Sequence, residues 1–307
     1  MEDHWDYEAI EWPKKTRELY HNHFDSEIWN DFPFRDDDIV IATYAKSGTT
    51  WVQQILAQLI FNGEPDLAVA DMSPWIDLRL PPREVKLPEV EAQTHRRFVK
   101  THLPVDALVF SPKAKYLYVG RDGRDVVWSF YNHHCALTDD LYEALNAQGS
   151  PDIEPLSPPG KDIYEYYHHW LANDGYPIWS FWENISTWWE IRNLPNVMLL
   201  HFGVLKEDMP EQIRQIAAFL DIPVDEDKFE DILKHCSFDY MKENAELSVP
   251  LGGEPFHGGA KRFIHKGTNG RWRDVLNDED SAMYEALALE KLGPECARWL
   301  ATGELPD

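Results

Sequence analysis

The stretch that most constrains the fold is Ile39–Ile60, IVIATYAKSGTTWVQQILAQLI. Ile39 to Ala42 form a nearly continuous apolar run, the pattern of a strand buried on both faces of a parallel sheet. Val52, Ile55, Leu56, Leu59 and Ile60 then recur at helical spacing, which predicts a helix with one face on that sheet. Asn62-Gly63 predicts its stop. Between strand and helix lies Ala45-Lys46-Ser47-Gly48-Thr49-Thr50. This loop offers backbone N–H groups at a helix start, a glycine, a cation and three hydroxyls, which is chemistry for holding a phosphate or sulfate. It departs from the nucleotide-triphosphate loop G-x-x-x-x-G-K-[ST]. With Gly48 as the second glycine, Thr43 stands at the first and Thr49 at the lysine, while the lysine has moved forward to Lys46.

Further strands are predicted at 97–101, 115–120 and 197–202. Helices are predicted from Asp122 through Tyr131, as an aromatic-rich pair over 162–193, and over 210–220 and 225–235. The alternation predicts an α/β fold: P-loop-like, three-layered, with a central, mostly parallel sheet flanked by helices. A single domain is expected over 1–307, with residues 1–37 as a helical lead-in. The proline-rich 63–96 is expected to hold no long regular element. Residues 147–161, also rich in proline, read equally as a lid or as an inserted surface loop.

The net charge of −25 argues against nonspecific nucleic-acid binding and against an anionic membrane surface. An anionic ligand must therefore be held by a local basic cluster. One such segment is 257–274, where Lys261, Arg262, Lys266, Arg271 and Arg273 face a single acid, Asp274, among four glycines. The three cysteines, Cys135, Cys236 and Cys296, are odd in number and far apart, so neither a disulfide framework nor a zinc site is indicated. The acidic, polar start does not read as a signal peptide, and no apolar run approaches the roughly 18 residues of a membrane span. A cytoplasmic protein without membrane insertion is expected. His133-His134 and His168-His169 lack carboxylates at metal-ligand spacing, so no metal is expected.

Three segments with reactive side chains directly follow predicted strands, where ligands collect in open α/β sheets. They are Lys46–Thr50, Lys100-Thr-His-Leu-Pro104, and Arg121 with Ser129 about two helical turns further on. His102, two residues past Lys100, has the titration range of a general base for a hydroxyl.

Together with the basic segment, these stretches resemble the sulfotransferase family that uses 3′-phosphoadenosine 5′-phosphosulfate (PAPS), especially the cytosolic aryl, alcohol and steroid sulfotransferases. The likeness runs from about Phe34 to Asp274. TYAKSGTTW (43–51) resembles the family's 5′-phosphosulfate loop, KTHLP (100–104) its catalytic-base segment, YVGRDGRDVVWSFY (118–131) its 3′-phosphate element, and KGTNGRW (266–272) its C-terminal nucleotide-binding loop. The resemblance implies PAPS as co-substrate, held by Lys46, Ser47, Gly48, Thr49 and Thr50, with Trp51 near adenine. Arg121 and Ser129 would bind the 3′-phosphate, and Lys266 and Gly267 would close over it. Cys236 and Phe238 fall where the family contacts adenine. His102 would be the base, with Lys46, Lys100 and Ser129 as the other catalytic groups. Trp75 and His133, beside Lys100 and His102, fall at acceptor-contacting positions, and the acceptor is expected to be a small phenol, alcohol or lipid. Two positions depart from the family: His265 stands where an arginine precedes the Lys-Gly pair, and Phe202 where a tyrosine is common. The family's dimer motif has no clear counterpart after Trp272, so a homodimer is left open. A P-loop-type ATP-dependent kinase and a nucleotide-binding protein without turnover remain as alternatives.

Overall fold

The computed structural model describes residues 7–147, 153–175 and 179–306. Its sheet has four parallel strands, β1 (Ile39–Thr43), β2 (Phe98–Thr101), β3 (Lys115–Gly120) and β4 (Val197–His201), in the order β2-β1-β3-β4. All of β1 is buried, as its unbroken apolar run requires. Side chains alternate across the pleat. Val40, Ala42, Val99, Tyr116 and Tyr118 face one side, and Ile39, Ile41, Phe98, Leu117 and Val119 the other.

Helices cover both faces, giving the expected three layers. The aliphatic face carries α1 (Thr49–Ile60), whose Val52, Ile55, Leu56 and Leu59 pack on it at the predicted spacing. The aromatic face carries α3 (Gly123–His134), α4 (Ile163–Ala172) and α5 (Phe181–Glu190), which bury Trp170 and Trp188 there. A helical segment that sequence reading placed nowhere, Asp278–Thr302, kinked at Gly293, completes that layer with Trp299. Its start is a capping box between Asn277 and Asp280. None of the helices among the described residues is long and apolar enough to cross a membrane.

The topology fixes where a ligand belongs. β2 and β3 flank β1 on opposite sides, so the strand order reverses at β1 and a crevice opens at its carboxyl end. The registers Ala42↔Thr101 and Thr43↔Val119 bring three strand ends level. The loops carrying Lys46, His102 and Arg121 therefore emerge side by side.

Two expectations are corrected. The described part of the lead-in is not an α-helix: its helical element among the described residues is the 3-10 helix Ser26–Asp31. Several of the lead-in's backbone N–H groups find partners outside the segment or on a side chain. Thr16 and Arg17 N–H donate to Asp106 O (2.8 and 3.3 Å), and Leu19 N–H donates to Ser26 Oγ (2.8 Å). In the proline-rich stretch a ten-residue helix, α2 (Arg83–Ala92), forms around Pro88. It is anchored by buried Val90 and by Lys86, whose Nζ donates to the Ile76 carbonyl (3.0 Å) and to that of Leu78. Residues 148–152 of the 147–161 segment lie outside the described residues.

Candidate active site

The loop after β1 bends through two left-handed residues, Lys46 (φ 69°) and Gly48 (φ 110°), with Ser47 between them. Such turns direct successive amides to one side. A Cβ at Gly48 would also stand 2.7 Å from the Phe202 ring, so glycine is required twice over. The first bonds of α1 run from Trp51 N and Val52 N to Gly48 O (3.0 and 3.1 Å), leaving the amides of Gly48, Thr49 and Thr50 ahead of the helix ladder.

Lys46 Nζ lies 3.3 Å from His133 Nδ1 and 4.4 Å from the centre of the Phe263 ring. Among the described residues it has no carboxylate partner. Burial, then repulsion from Lys100 and Arg121, lowers it to about 7. Burial lowers Lys100 to about 8, with buried Asp77 opposing. Two ammonium groups are thus held close together and short of counter-charge. Ser129 shares a face of α3 with His133 four residues on, and its half-buried hydroxyl is unpartnered among the described residues.

His102 is fixed by its Nδ1, 2.9 Å from the Thr43 carbonyl and 3.0 Å from Thr43 Oγ1. A carbonyl only accepts, so Nδ1 carries the proton and Nε2 a free lone pair. Thr43 Oγ1 continues to Thr49 Oγ1 at 2.8 Å, tying the imidazole to the start of α1. The ring lies between Trp75 (centroids 4.7 Å) and Trp179 (5.9 Å). Asp77, buried, accepts from Trp75 Nε1 (2.6 Å), Trp29 Nε1 (3.1 Å) and the His102 amide (3.4 Å), and burial raises its pKa. Burial, then Lys100, lowers His102 to about 3, so its imidazole is neutral.

Arg121 is gripped rather than free. Asn269 Oδ1 accepts from its Nε (3.2 Å) and Nη2 (2.8 Å), Lys46 O accepts from Nη1 (3.0 Å), and the guanidinium lies 4.2 Å over the Phe202 ring. Asp125 accepts from Gly270 N (2.6 Å), so both ends of Asn269-Gly270 are tied to the start of α3. Phe202 thus supplies a ring face where a tyrosine was the family expectation. His265 Nδ1 sits 2.9 Å from Arg262 Nη1, so Arg262 stands directly beside the position of the missing arginine. Burial, then Arg262, lowers His265 to about 4. Lys266 is exposed and Gly267 O accepts from Lys206 Nζ (2.6 Å). Trp51 Nε1 donates to Cys236 O (2.9 Å), and the exposed Phe238 ring lies against Gly267. Sequence reasoning missed Thr43, Asp77, Trp179 and Asn269. Only Thr43 and Asn269 carried a signal, their place inside the motifs 43–51 and 266–272.

An amide-rich turn, two unpaired ammonium groups and a neutral imidazole with a free Nε2 meet at the sheet's switch point. That combination defines a group transferase that takes an anionic donor and a proton-bearing acceptor. The chain belongs to the sulfotransferase family, whose sulfotransferase domain matches residues 36–294. It is 27% identical over 317 residues to a glycolipid sulfotransferase of Mycobacterium bovis, covering 95% of this chain and 97% of that protein. It is 30% identical over 272 residues to sulfotransferase 1B1 of Mus musculus, covering 85% of each. Its fold matches the crystal structure of mouse sulfotransferase SULT7A1 complexed with PAP, with a TM-score of 0.67 at 22% identity over 90% of this chain and 92% of that one. The kinase alternative is set aside.

Proposed function

We propose that this sulfotransferase moves the sulfuryl group of PAPS to a hydroxyl, or an amine, of a small-molecule acceptor such as a phenol, alcohol or lipid. The observation that carries the reading is His102, with Nδ1 committed to the Thr43 carbonyl and Nε2 free, beside the unpaired Lys46 and Lys100. The donor supplies a sulfuryl group on a phosphate leaving oxygen. Transfer of this kind spreads charge over the equatorial oxygens and the leaving oxygen, so positioned positive charge does most of the catalysis. Lys46 and the amides of Gly48, Thr49 and Thr50, with Ser47, neutralise the leaving phosphate. Lys100 offsets charge on the sulfuryl oxygens. His102 Nε2 takes the acceptor's proton as the acceptor oxygen bonds to sulfur and the sulfur–phosphate oxygen bond breaks.

The residues present fit such a donor. Among the described residues Lys46 has no carboxylate partner, Lys100 feels only the buried Asp77, Ser129 has a hydroxyl without a partner, and Lys266 stands exposed. Ser129, Arg121, His265, Lys266 and Gly267 serve the 3′-phosphate; Trp51, Cys236 and Phe238 serve adenine; Trp75 and His133 serve the acceptor. Lys100 and Lys46 are among the groups that hold His102 low, so an anionic donor that neutralises them raises its basicity. A cytoplasmic location is part of the proposal, supported by three free cysteines.

The test is incubation with PAPS and a panel of acceptors. Sulfated product is expected, and His102→Ala is expected to lower turnover about 10²–10⁴-fold. Full activity in that variant removes His102 from the mechanism.

A further inference from the structure

One base suffices for one hydroxyl, yet His102 is surrounded by further imidazoles. His133 and His134 stand at the end of α3, and His23 comes from the extended lead-in. In each ring the protein engages Nδ1. His133 Nδ1 faces Lys46 Nζ at 3.3 Å, His134 Nδ1 faces the Tyr166 hydroxyl at 2.9 Å, and His23 Nδ1 faces His21 Nδ1 at 3.3 Å. Their Nε2 atoms have no hydrogen-bond partner among the described residues. A lysine ammonium only donates, so His133 Nδ1 accepts and its Nε2 presents an N–H, opposite in polarity to His102 Nε2.

These are not surface histidines. His23 is 8% exposed and His134 2%. Burial first, then their charge interactions with one another and with neighbouring lysine and histidine, hold all three below the usual imidazole range. They are therefore neutral near pH 7, and each offers a directional hydrogen-bonding edge without a charge. Between them stand aromatic faces: Trp75 and Trp179 flank His102, and Phe24 meets Trp179 edge-on at 4.8 Å.

These Nε2 edges have no hydrogen-bond partner among the described residues, so the hydroxyls of a bound ligand can answer them. A flat phenol or a simple alcohol brings one hydroxyl, which His102 consumes. A sugar brings a hydroxyl for each remaining edge and an apolar C–H face for the tryptophans. The two nearby lysines are committed to the donor, so nothing in this set selects an acceptor with its own negative charge. We propose that the acceptor is an uncharged polyhydroxylated molecule of the glycoside type, with His23, His133 and His134 as the residues that read its non-reacting hydroxyls. The proposal rests on the sulfuryl-transfer reading of the same site and narrows its acceptor.

The probes are n-octyl β-D-glucopyranoside below its micelle concentration, 1-octanol with the same tail and one hydroxyl, and 2-naphthol. The glucoside is expected to have a kcat/KM roughly tenfold or more above the other two. His23→Phe and His134→Phe are each expected to lower that value about tenfold, mainly through KM, and to change 2-naphthol by less than about twofold. His23→Gln and His134→Gln, which keep a polar edge, are expected to restore most of the loss. A preference for 2-naphthol or octanol, or equal losses on all three acceptors, overturns the proposal. Binding is read without turnover by titrating the glucoside against tryptophan fluorescence, with adenosine 3′,5′-bisphosphate present. A saturable change that His134→Phe weakens supports the inference, and no change overturns it. Failure of adenosine 3′,5′-bisphosphate itself to bind, by calorimetry, overturns the sulfuryl-transfer reading instead.

Discussion

The two halves of the site are built by opposite means. The donor half is centred on one short stretch: the turn at Lys46–Thr50 uses two left-handed residues and free amides, and Arg121, held by Asn269, meets it from elsewhere in the chain. The acceptor half is assembled from residues 23–24, 75–77, 102, 133–134 and 179, and its polar groups are neutral rings among tryptophans. An anion of fixed shape can be met by backbone and a few charges, which one short loop supplies. A specific acceptor must be met by side chains, and these arrive from wherever the fold brings them.

The sharpest test of this contrast is to remove charge from the donor half. Lys46→Ala is expected to lower kcat about 10²–10³-fold, the range for loss of one preorganised group at developing charge. The melting temperature is expected to hold or rise, because the ammonium is buried without a counter-ion and its removal relieves a desolvation cost. Wild-type turnover in this variant would sink the assignment of the loop.

The same charges set the pH response. Lys46 at about 7 and Lys100 at about 8 must be protonated to act, so kcat/KM is expected to fall as pH rises through 7 to 8. His102 at about 3 must be unprotonated, so its acid limb lies well below neutrality. Lys46→Arg keeps the charge at any accessible pH and should move the alkaline limb upward. A profile that falls on the acid side near pH 6.5, and not on the alkaline side, would contradict the electrostatic picture of the site.

Asn269 offers a smaller test, because it acts through Arg121. Its Oδ1 takes two of the guanidinium's N–H groups. Asn269→Ala should raise the dissociation constant for adenosine 3′,5′-bisphosphate about tenfold, in line with one hydrogen bond to a charged group. It should raise KM for PAPS with little change in kcat. An equal fall in kcat would mean that the residue serves the reacting atoms rather than the nucleotide's far end.

The legible parts of the molecule follow the same division. The β1–α1 unit could be read because a buried parallel strand and an amphipathic helix write unmistakable periods on either side of six loop residues. KTHLP and the stretch after β3 could be read because they sit at strand ends. The Asn269–Arg121 contact could not, since its partners are 148 residues apart and neither carries a pattern that names the other. His23 was invisible among 13 histidines, because it lies in a bend of the lead-in outside any helix or strand, which imposes no period on its side chains. The helix α2 was missed because Pro88 was weighed without the buried anchors Lys86 and Val90 on either side of it.

The smallest expected effect concerns the departure at His265. Restoring the arginine that the resemblance expects looks like a gain of one bidentate contact with the 3′-phosphate. The surroundings argue for little gain. His265 Nδ1 already faces Arg262 Nη1 at 2.9 Å, and the ring is held neutral, to about 4, by burial and then by the charges of Arg262, Arg271, Lys266 and Lys242. A second guanidinium there would repel the first, whereas neutral His265 pairs with Arg262 and holds it next to the loop. His265→Arg is therefore expected to change the dissociation constant for adenosine 3′,5′-bisphosphate by less than about threefold, the scale of a partly exposed ion pair. His265→Ala, which frees Arg262, should cost more than His265→Arg gains. A tenfold tightening in His265→Arg would show that Arg262 does not fill the arginine's place, and that this side of the donor site is incomplete as it stands.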